Sequence, residues 1–494
     1  MEIYKNALVW TLFFVGFLLR FSFVDQQSLW MDEASVYLEA FRNSFEFTWD
    51  VRHRLQPQNA PLFPLFISFL SSLFGELSFI SFRYFSALVG TLGLLTSYLF
   101  SVTYFKDGRK SLIFLCLLAF SSFHIQYSQF VRFYVLLFFL FYLHLYLSLR
   151  WFQTKKRSFL FFIFLTSAAG CWTNQLMALS FMVGSLIYIN SYGFSFKRLL
   201  IFNSFNVLGF LTYMPSYLLY VNGSFKIGAF RSVGFGDIVY MLKTVFFPKH
   251  LGPSLLELRY FNYNNFPFEE IVKRLDNFVC AETFLLAIFS LIWIFYFLNF
   301  KKIKSEKYIF LGSLLFFCAF LYYKNIPFND RYFLIFYPFF LILLINNLTI
   351  LGRMKTLCLT LLFILNIWSC GNYFFNERHH TLNFNKITRH LNSKFNLVSL
   401  ESSRLFFKFF KPKFLDKKVL ILENLANRYE FDSFLPGYIK NMSEATLIHT
   451  YRSLLKETQF SKLKQNLEET HFVEEPVKNI DPYFRVFRIK KKHD

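Results

Sequence analysis

Residues 131–149 read VRFYVLLFFLFYLHLYLSL, and Arg150 follows. As an α-helix this stretch is about 28 Å long, close to the hydrocarbon thickness of a bilayer. It shows no apolar–polar alternation, so it is no barrel strand. In lipid the backbone must satisfy its own hydrogen bonds, which leaves the helix. Just beyond it stand Lys155, Lys156 and Arg157. A cationic cluster at one end of an apolar span marks the cytoplasmic side of a membrane. This one segment therefore sets the class, an integral membrane helix, and gives it a direction.

The same pattern recurs on both sides of it. Apolar runs fall at 8–24, 79–104, 111–124, 159–172, 176–189, 199–220, 281–298, 309–323, 332–350 and 357–373. The composition agrees: 494 residues are 55% hydrophobic and only 17% charged, and 75 of them are Phe. A mean hydropathy of +0.37 is far from that of a soluble domain. The net charge of +22 does not point to nucleic acid. Its Lys and Arg lie in short clusters between apolar runs: Lys106, Arg109 and Lys110; Lys197 and Arg198; Lys301, Lys302, Lys304 and Lys307; Arg353 and Lys355. By the positive-inside rule these loops are cytoplasmic. The turns 124–130 and 173–175, which hold no Lys or Arg, lie outside with the segments 25–60 and 221–278 and everything after 373.

Residues 61–74 are apolar but short, about 21 Å as a helix. Counting them as a crossing would place Lys106–Lys110 outside, so they read as an interfacial or re-entrant helix on the outer face. The result is an α-helical polytopic membrane protein of eleven spans, with the N-terminus inside and the C-terminus outside. A twelve-span arrangement with an inside C-terminus is the alternative. The first span lacks a small-residue cleavage site and reads as a retained anchor. Residues 1–373 form the membrane domain. Residues 374–494, mixed in charge, read as a small extracytoplasmic α/β domain with strands at 397–400, 419–422 and 484–489 and a helix at 456–469. Residues 33–43 read as an amphipathic surface helix, with Ala34, Tyr37, Leu38 and Phe41 on one face. The six cysteines (Cys116, Cys171, Cys280, Cys318, Cys358, Cys370) lie in or beside apolar runs without metal-ligand spacing, and read as small hydrophobes.

Few residues carry chemistry, and each has a plain alternative. Asp32 and Glu33 form an adjacent acidic pair just past the first span. Carboxylates at a membrane surface are costly and often functional, yet Asp32 also suits the N-cap of the helix that follows. Arg132, in Tyr127-Ser128-Gln129-Phe130-Val131-Arg132-Phe133-Tyr134, opens a span in a turn free of other cations. It calls for an anionic partner or serves as an interfacial anchor. Arg331 and Tyr332 invite the same two readings. Asn174 sits in a tight outer turn, where turn chemistry is the simpler account. His250 and Arg259 lie in the long outer loop, and Arg52, His53 and Arg54 form a basic patch in the first. No Gly-rich phosphate loop, zinc signature or serine elbow is present.

In this order the motifs resemble those of the membrane-embedded GT-C glycosyltransferases, which include protein O-mannosyltransferases and the aminoarabinose transferases acting on lipid A. Trp30-Met31-Asp32-Glu33 is similar to the family's acidic pair, and Asn59-Ala60-Pro61-Leu62-Phe63 to its His-Pro-Pro-Leu-Tyr stretch. Phe74-Gly75 with Phe82-Arg83-Tyr84-Phe85-Ser86-Ala87 resembles its entrance to the next span. Residues 127–134 resemble Tyr-Ser-x-Glu-Ala-Arg-x-Tyr, and Arg331-Tyr332 with Pro338 a late Arg-Tyr-Leu and Pro pattern. The resemblance covers about residues 1–350.

It implies a GT-C fold and an inverting transfer from a polyprenyl-phosphate sugar, on the extracytoplasmic face of a bacterial-type inner membrane, to a glycolipid, glycan or protein. Asp32 would be the general base and Glu33 an orienting acid. Arg132 and Arg331 would bind the donor phosphate, with Asn59, Tyr127, Tyr134, Asn174, His250 and Tyr332 around the substrates. No metal ligands are assigned. Relatives differ in metal dependence, so a divalent cation stays open, and no other cofactor is expected. Phe130 stands where the family often has Glu, and Asn59 and Asn174 where relatives often have His. These departures fit a different acceptor or an inactive paralogue. A polysaccharide polymerase or ligase, a transporter or flippase, and an envelope scaffold are the other classes compatible with the composition. Transporters tend to show acids or broken helices at mid-membrane.

Overall fold

The computed structural model describes residues 7–25, 33, 36, 60–74, 79–222, 243–244, 248–251, 281–282, 330–348, 354–376, 395–399, 418–421, 444–450, 471–474 and 484–491. In the membrane part the described helices are α1 (Ala7–Phe21), α2 (Leu62–Phe74), α3 (Phe79–Phe105), α4 (Gly108–Ala119), α5 (Ser122–Gln129), α6 (Phe133–Thr154), α7 (Arg157–Thr173), α8 (Ala178–Tyr192), α9 (Phe196–Asn222), α10 (Tyr337–Leu348) and α11 (Met354–Phe375). Four of these, α3, α6, α9 and α11, are long and apolar enough to cross a membrane; α4 and α5 together make a fifth, bent by 56°. The chain is a multi-pass membrane protein. Helix α6 is the hub, packed against both α3 and α7, with α9 behind α7 and α1 beside α3.

Residues 131–149 do form a helix, which continues through Thr154. It stops where Lys155 adopts a left-handed conformation (φ 59°) and its N–H closes the last turn on the Trp151 carbonyl. Its ammonium lies 5.3–5.9 Å from the ring centres of Trp151, Phe152, Tyr188 and Tyr192. Lys155 is exposed, and partial desolvation beside these rings, with Arg198 a lesser influence, lowers its pKa. Within residues 61–74 the helix α2 has 13 residues, about 20 Å, short of the hydrocarbon thickness, as are α1 and α8 with 15 each. On the next loop Asp107 caps α4, accepting from the Arg109 and Lys110 amides.

One expected span differs. Residues 111–124 read as a single crossing with a turn after it. Instead α4 ends at Ala119, the chain bends, and α5 runs through the expected turn. No proline causes this. Ser121 caps α5 by accepting from the His124 amide, and partners from other helices take the carbonyls exposed at the break. Arg20 donates to Leu118 O (3.3 Å) and Ala119 O (3.3 Å), and the Cys370 thiol donates to Phe120 O (2.9 Å). A cationic side chain at the C-terminal end of α4 also suits the helix dipole.

In the C-terminal part five strands form one sheet in the order β2-β1-β3-β5-β4: β1 (Phe395–Ser399), β2 (Lys418–Ile421), β3 (Glu444–Thr450), β4 (His471–Glu474) and β5 (Phe484–Lys491). β2, β1 and β3 are parallel; β5 is antiparallel to β3 and to β4. The strands expected at 397–400, 419–422 and 484–489 are present within a residue or two, and β3 and β4 are additional. The expected helix at 456–469, the span at 309–323, all of the span at 281–298 but residues 281 and 282, and most of the surface helix 33–43 lie outside the described residues. The chain divides into two compact units, Met1–Val24 with Glu39–His379, and Asp25–Leu38 with His380–Asp494.

Candidate functional site

The site begins with α5. This short helix is buried along its whole length, and it is fastened at both ends. Near its start, His124 Nδ1 faces the Arg20 guanidinium (2.8 Å to Nη2) and lies 3.1 Å from Ser128 Oγ. At its end, Gln129 Nε2 donates to the last carbonyls of α1, Arg20 O (3.1 Å) and Ser22 O (2.7 Å). Its Oε1 accepts from the Tyr373 hydroxyl of α11 (2.7 Å). From this platform the chain turns through Phe130 and Val131, and the Arg132 amide returns to Phe130 O (2.8 Å). Arg132 then takes the N-cap position of α6.

Around this turn, aromatic rings gather three cations. The Arg132 guanidinium lies 5.6 Å from the Tyr134 ring centre and 5.4 Å from that of Phe133. The Arg331 guanidinium, from the 3-10 segment Asp330–Phe336, lies 5.6 Å from the same Tyr134 ring and 5.5 Å from Tyr332. Tyr134 and Tyr332 are themselves 6.0 Å apart, edge to face, and Tyr127 is 5.9 Å from Tyr134. The third cation is Lys249. Its Nζ is 4.5 Å from the Tyr127 ring centre and donates to the Tyr127 hydroxyl (3.3 Å). Arg132 and Lys249 are 2% and 4% exposed and so largely out of water, while Arg331 and Tyr332 are half-buried. An aromatic face attracts a cation while leaving its N–H directions compatible with an oxyanion. The arrangement is suited to a phosphate.

Pro248, Lys249, His250 and Leu251 are all buried, although they belong to the long polar segment 221–278. The His250 amide donates to Ser369 Oγ (2.9 Å), which pairs with Ser122 Oγ on α5 (2.6 Å). The Asn372 amide donates to His250 O (2.8 Å) and to the buried Glu282 carboxylate (2.8 Å). The His250 ring rests against Tyr373, with centres 4.9 Å apart.

The expected residues thus separate. Tyr127, Arg132, Tyr134, Arg331 and Tyr332 form one cluster, and His250 lies at its edge. Asn174 stays local: its side chain accepts from the Leu176 amide (2.9 Å) and starts a 3-10 turn. Glu33 is helical and fully buried, in the second unit. Asp32 and Asn59 lie outside the described residues. Phe130 packs edge-on against Tyr127 at 5.8 Å. Sequence reasoning missed Lys249, Glu282, Asn372 and Arg20. Arg20 and Glu282 carried a usable signal, each a lone charge inside an expected span, and Arg20 proves structural. Among the described residues no group of three His, Cys, Asp or Glu is placed to hold a metal.

The chain is similar in its course to ArnT. ArnT is a GT-C family aminoarabinose transferase. The structure of ArnT from Cupriavidus metallidurans bound to undecaprenyl phosphate matches over 98% of both chains, at 14% identity and a TM-score of 0.45. The apo ArnT structure from the same organism matches over 97% of both, at 14% identity and a TM-score of 0.46. No family model matches the chain, and neither does any curated protein. A likeness this distant says nothing about substrate or reaction.

Proposed function

We propose that the chain is an inverting glycosyltransferase that moves a sugar from a polyprenyl-phosphate donor to an acceptor of the cell envelope, on the extracytoplasmic face of a bacterial inner membrane. The supporting observation is the convergence of Arg132, Arg331 and Lys249 on the Tyr127–Tyr134 rings. Cations from three separate segments meet here, two of them buried, where the attraction for an anion is less screened than in water. The donor phosphate takes that place, and its prenyl tail remains in the bilayer. An acceptor hydroxyl attacks the anomeric carbon from the face opposite the phosphate. The carbon–oxygen bond to the phosphate breaks, the new glycosidic bond forms, and the acceptor proton passes to Asp32. The three cations stabilise the charge that grows on the leaving phosphate, which is preorganised electrostatic catalysis. Asp32 enters through the order of motifs alone, as does the extracytoplasmic location through the charge pattern.

Deletion of the gene, with mass spectrometry of envelope glycans, identifies the lost sugar and its acceptor. In that strain an Asp32→Asn chain is expected to express normally and restore none of the sugar; near wild-type restoration rejects Asp32 as the base. A cysteine at Ser35 is expected to react with an impermeant thiol reagent in intact cells and one at Arg109, exposed in the first turn of α4, to stay unlabelled. The reverse pattern overturns the topology.

The break between α4 and α5 favours a second reading, a transporter, because broken spans often expose carbonyls to a substrate. Here the carbonyls of Leu118, Ala119 and Phe120 are taken by Arg20 and Cys370. The break is therefore internally satisfied, which argues for a fixed platform and against a transport gate.

A further inference from the structure

Lys249 stands in a loop, and a long flexible side chain on a loop is a poor phosphate ligand unless its backbone is fixed. The fixing comes from α11. Asn372 uses one side-chain nitrogen to donate to two acceptors, His250 O and Glu282 Oε1, each at 2.8 Å. Ser369, one turn earlier on α11, accepts the His250 amide. Both polar groups of the His250 backbone are thus held by a single helix face, one residue from Lys249. The Glu282 carboxylate is 2% exposed, so its hydrogen bond to Asn372 is costly to lose.

We infer that Asn372 is a positioning residue for the proposed phosphate site: by holding the His250 carbonyl it sets Lys249 over Tyr127, and it acts on the lipid phosphate only through Lys249. The inference rests on the reading of the cation cluster as a phosphate site. It gives Glu282 a role as the anchor of Asn372 and not as a group in contact with substrate. Glu282→Gln retains an acceptor oxygen for the Asn372 amide and is therefore the conservative variant.

The test is binding of undecaprenyl phosphate, against uncharged undecaprenol, by the purified full-length chain in detergent. Wild type is expected to prefer the phosphate. Lys249→Ala is expected to weaken phosphate binding about tenfold, as is usual for one charge-assisted contact. Asn372→Leu should weaken it nearly as much, leave undecaprenol binding unchanged, and have no further effect in the Lys249→Ala background. Glu282→Gln should retain most of the phosphate preference. If Asn372→Leu weakens binding equally with or without Lys249, or weakens undecaprenol binding as well, Asn372 is merely structural and the inference fails while the phosphate site stands. If wild type does not distinguish the phosphate from the alcohol, the phosphate site fails and the inference with it.

Discussion

Arg20 and Arg132 are both buried arginines beside α5, and the protein holds them in opposite ways. Arg20 is surrounded by directed acceptors: the carbonyls of Gly16, Leu118 and Ala119 and the His124 imidazole. Arg132 lies against ring faces, with Arg331 on another side of the same Tyr134. A guanidinium aimed at backbone carbonyls serves the fold, because those carbonyls have few alternatives in lipid. A guanidinium laid on the Tyr134 ring, with Arg331 on that same ring, belongs to a gathering of cations drawn from separate segments. Lys155 shows that rings by themselves are not diagnostic. It has four of them, but it stands in a loop on the basic side of the membrane, with Arg198 as its charged neighbour. What marks the Arg132 site is the convergence of cations from distant parts of the chain.

Substitutions separate the two kinds of cation. The largest effect expected is on turnover: Arg132→Gln should lower sugar transfer about 100-fold or more, as loss of one preorganised donor to a developing oxyanion does. Its thermal unfolding in detergent should change less than that of Arg20→Leu. An Arg132→Gln chain that unfolds as readily as Arg20→Leu and transfers sugar at the wild-type rate would erase the distinction. Arg20→Leu comes second. It removes the donors at the α4–α5 break and should destabilise by roughly 2–3 kcal/mol, the cost of under-satisfied buried carbonyls. Arg20→Lys should recover part of this, because an ammonium reaches fewer of the acceptors. An Arg20→Leu chain as stable as wild type would mean that the break is held by packing alone. Gln129→Leu, which loses the bonds to α1 and Tyr373, should cost about 1–2 kcal/mol and slow turnover through displacement of the α5 platform. The smallest effect is that of Lys155→Ala, about 1 kcal/mol or less of stability with transfer unchanged. A transfer defect in that variant would show that ring-held cations on the basic side also serve the reaction.

The long apolar helices α3, α6, α9 and α11 were legible because length and hydropathy act locally, while the full number of crossings rests on the charge pattern. The short helix at Leu62–Phe74 was legible for the same reason, helped by the charges that follow it. The break between α4 and α5 was not, because its cause lies about 100 residues away in Arg20 and further still in Cys370. Part of the cluster was visible, since Arg132 and Arg331 are rare cations at span entrances. Lys249 was hidden among the many polar residues of its loop, and only tertiary packing brings it to Tyr127. Asn174 shows the reverse. Its turn chemistry, the simpler account in the sequence, describes its hydrogen bonding in the structure.

Gly90, on α3, adds one consequence. A methyl group there would clash with the Ser128 side chain and lie 3.2 Å from Ser128 Cα, so α3 and α5 pack too closely at this point to admit one. Because α5 carries Tyr127 and leads into Arg132, the missing carbon at position 90 works as a spacer of zero thickness. Alanine in its place would act as a shim, tilting the ring and the guanidinium together without touching either.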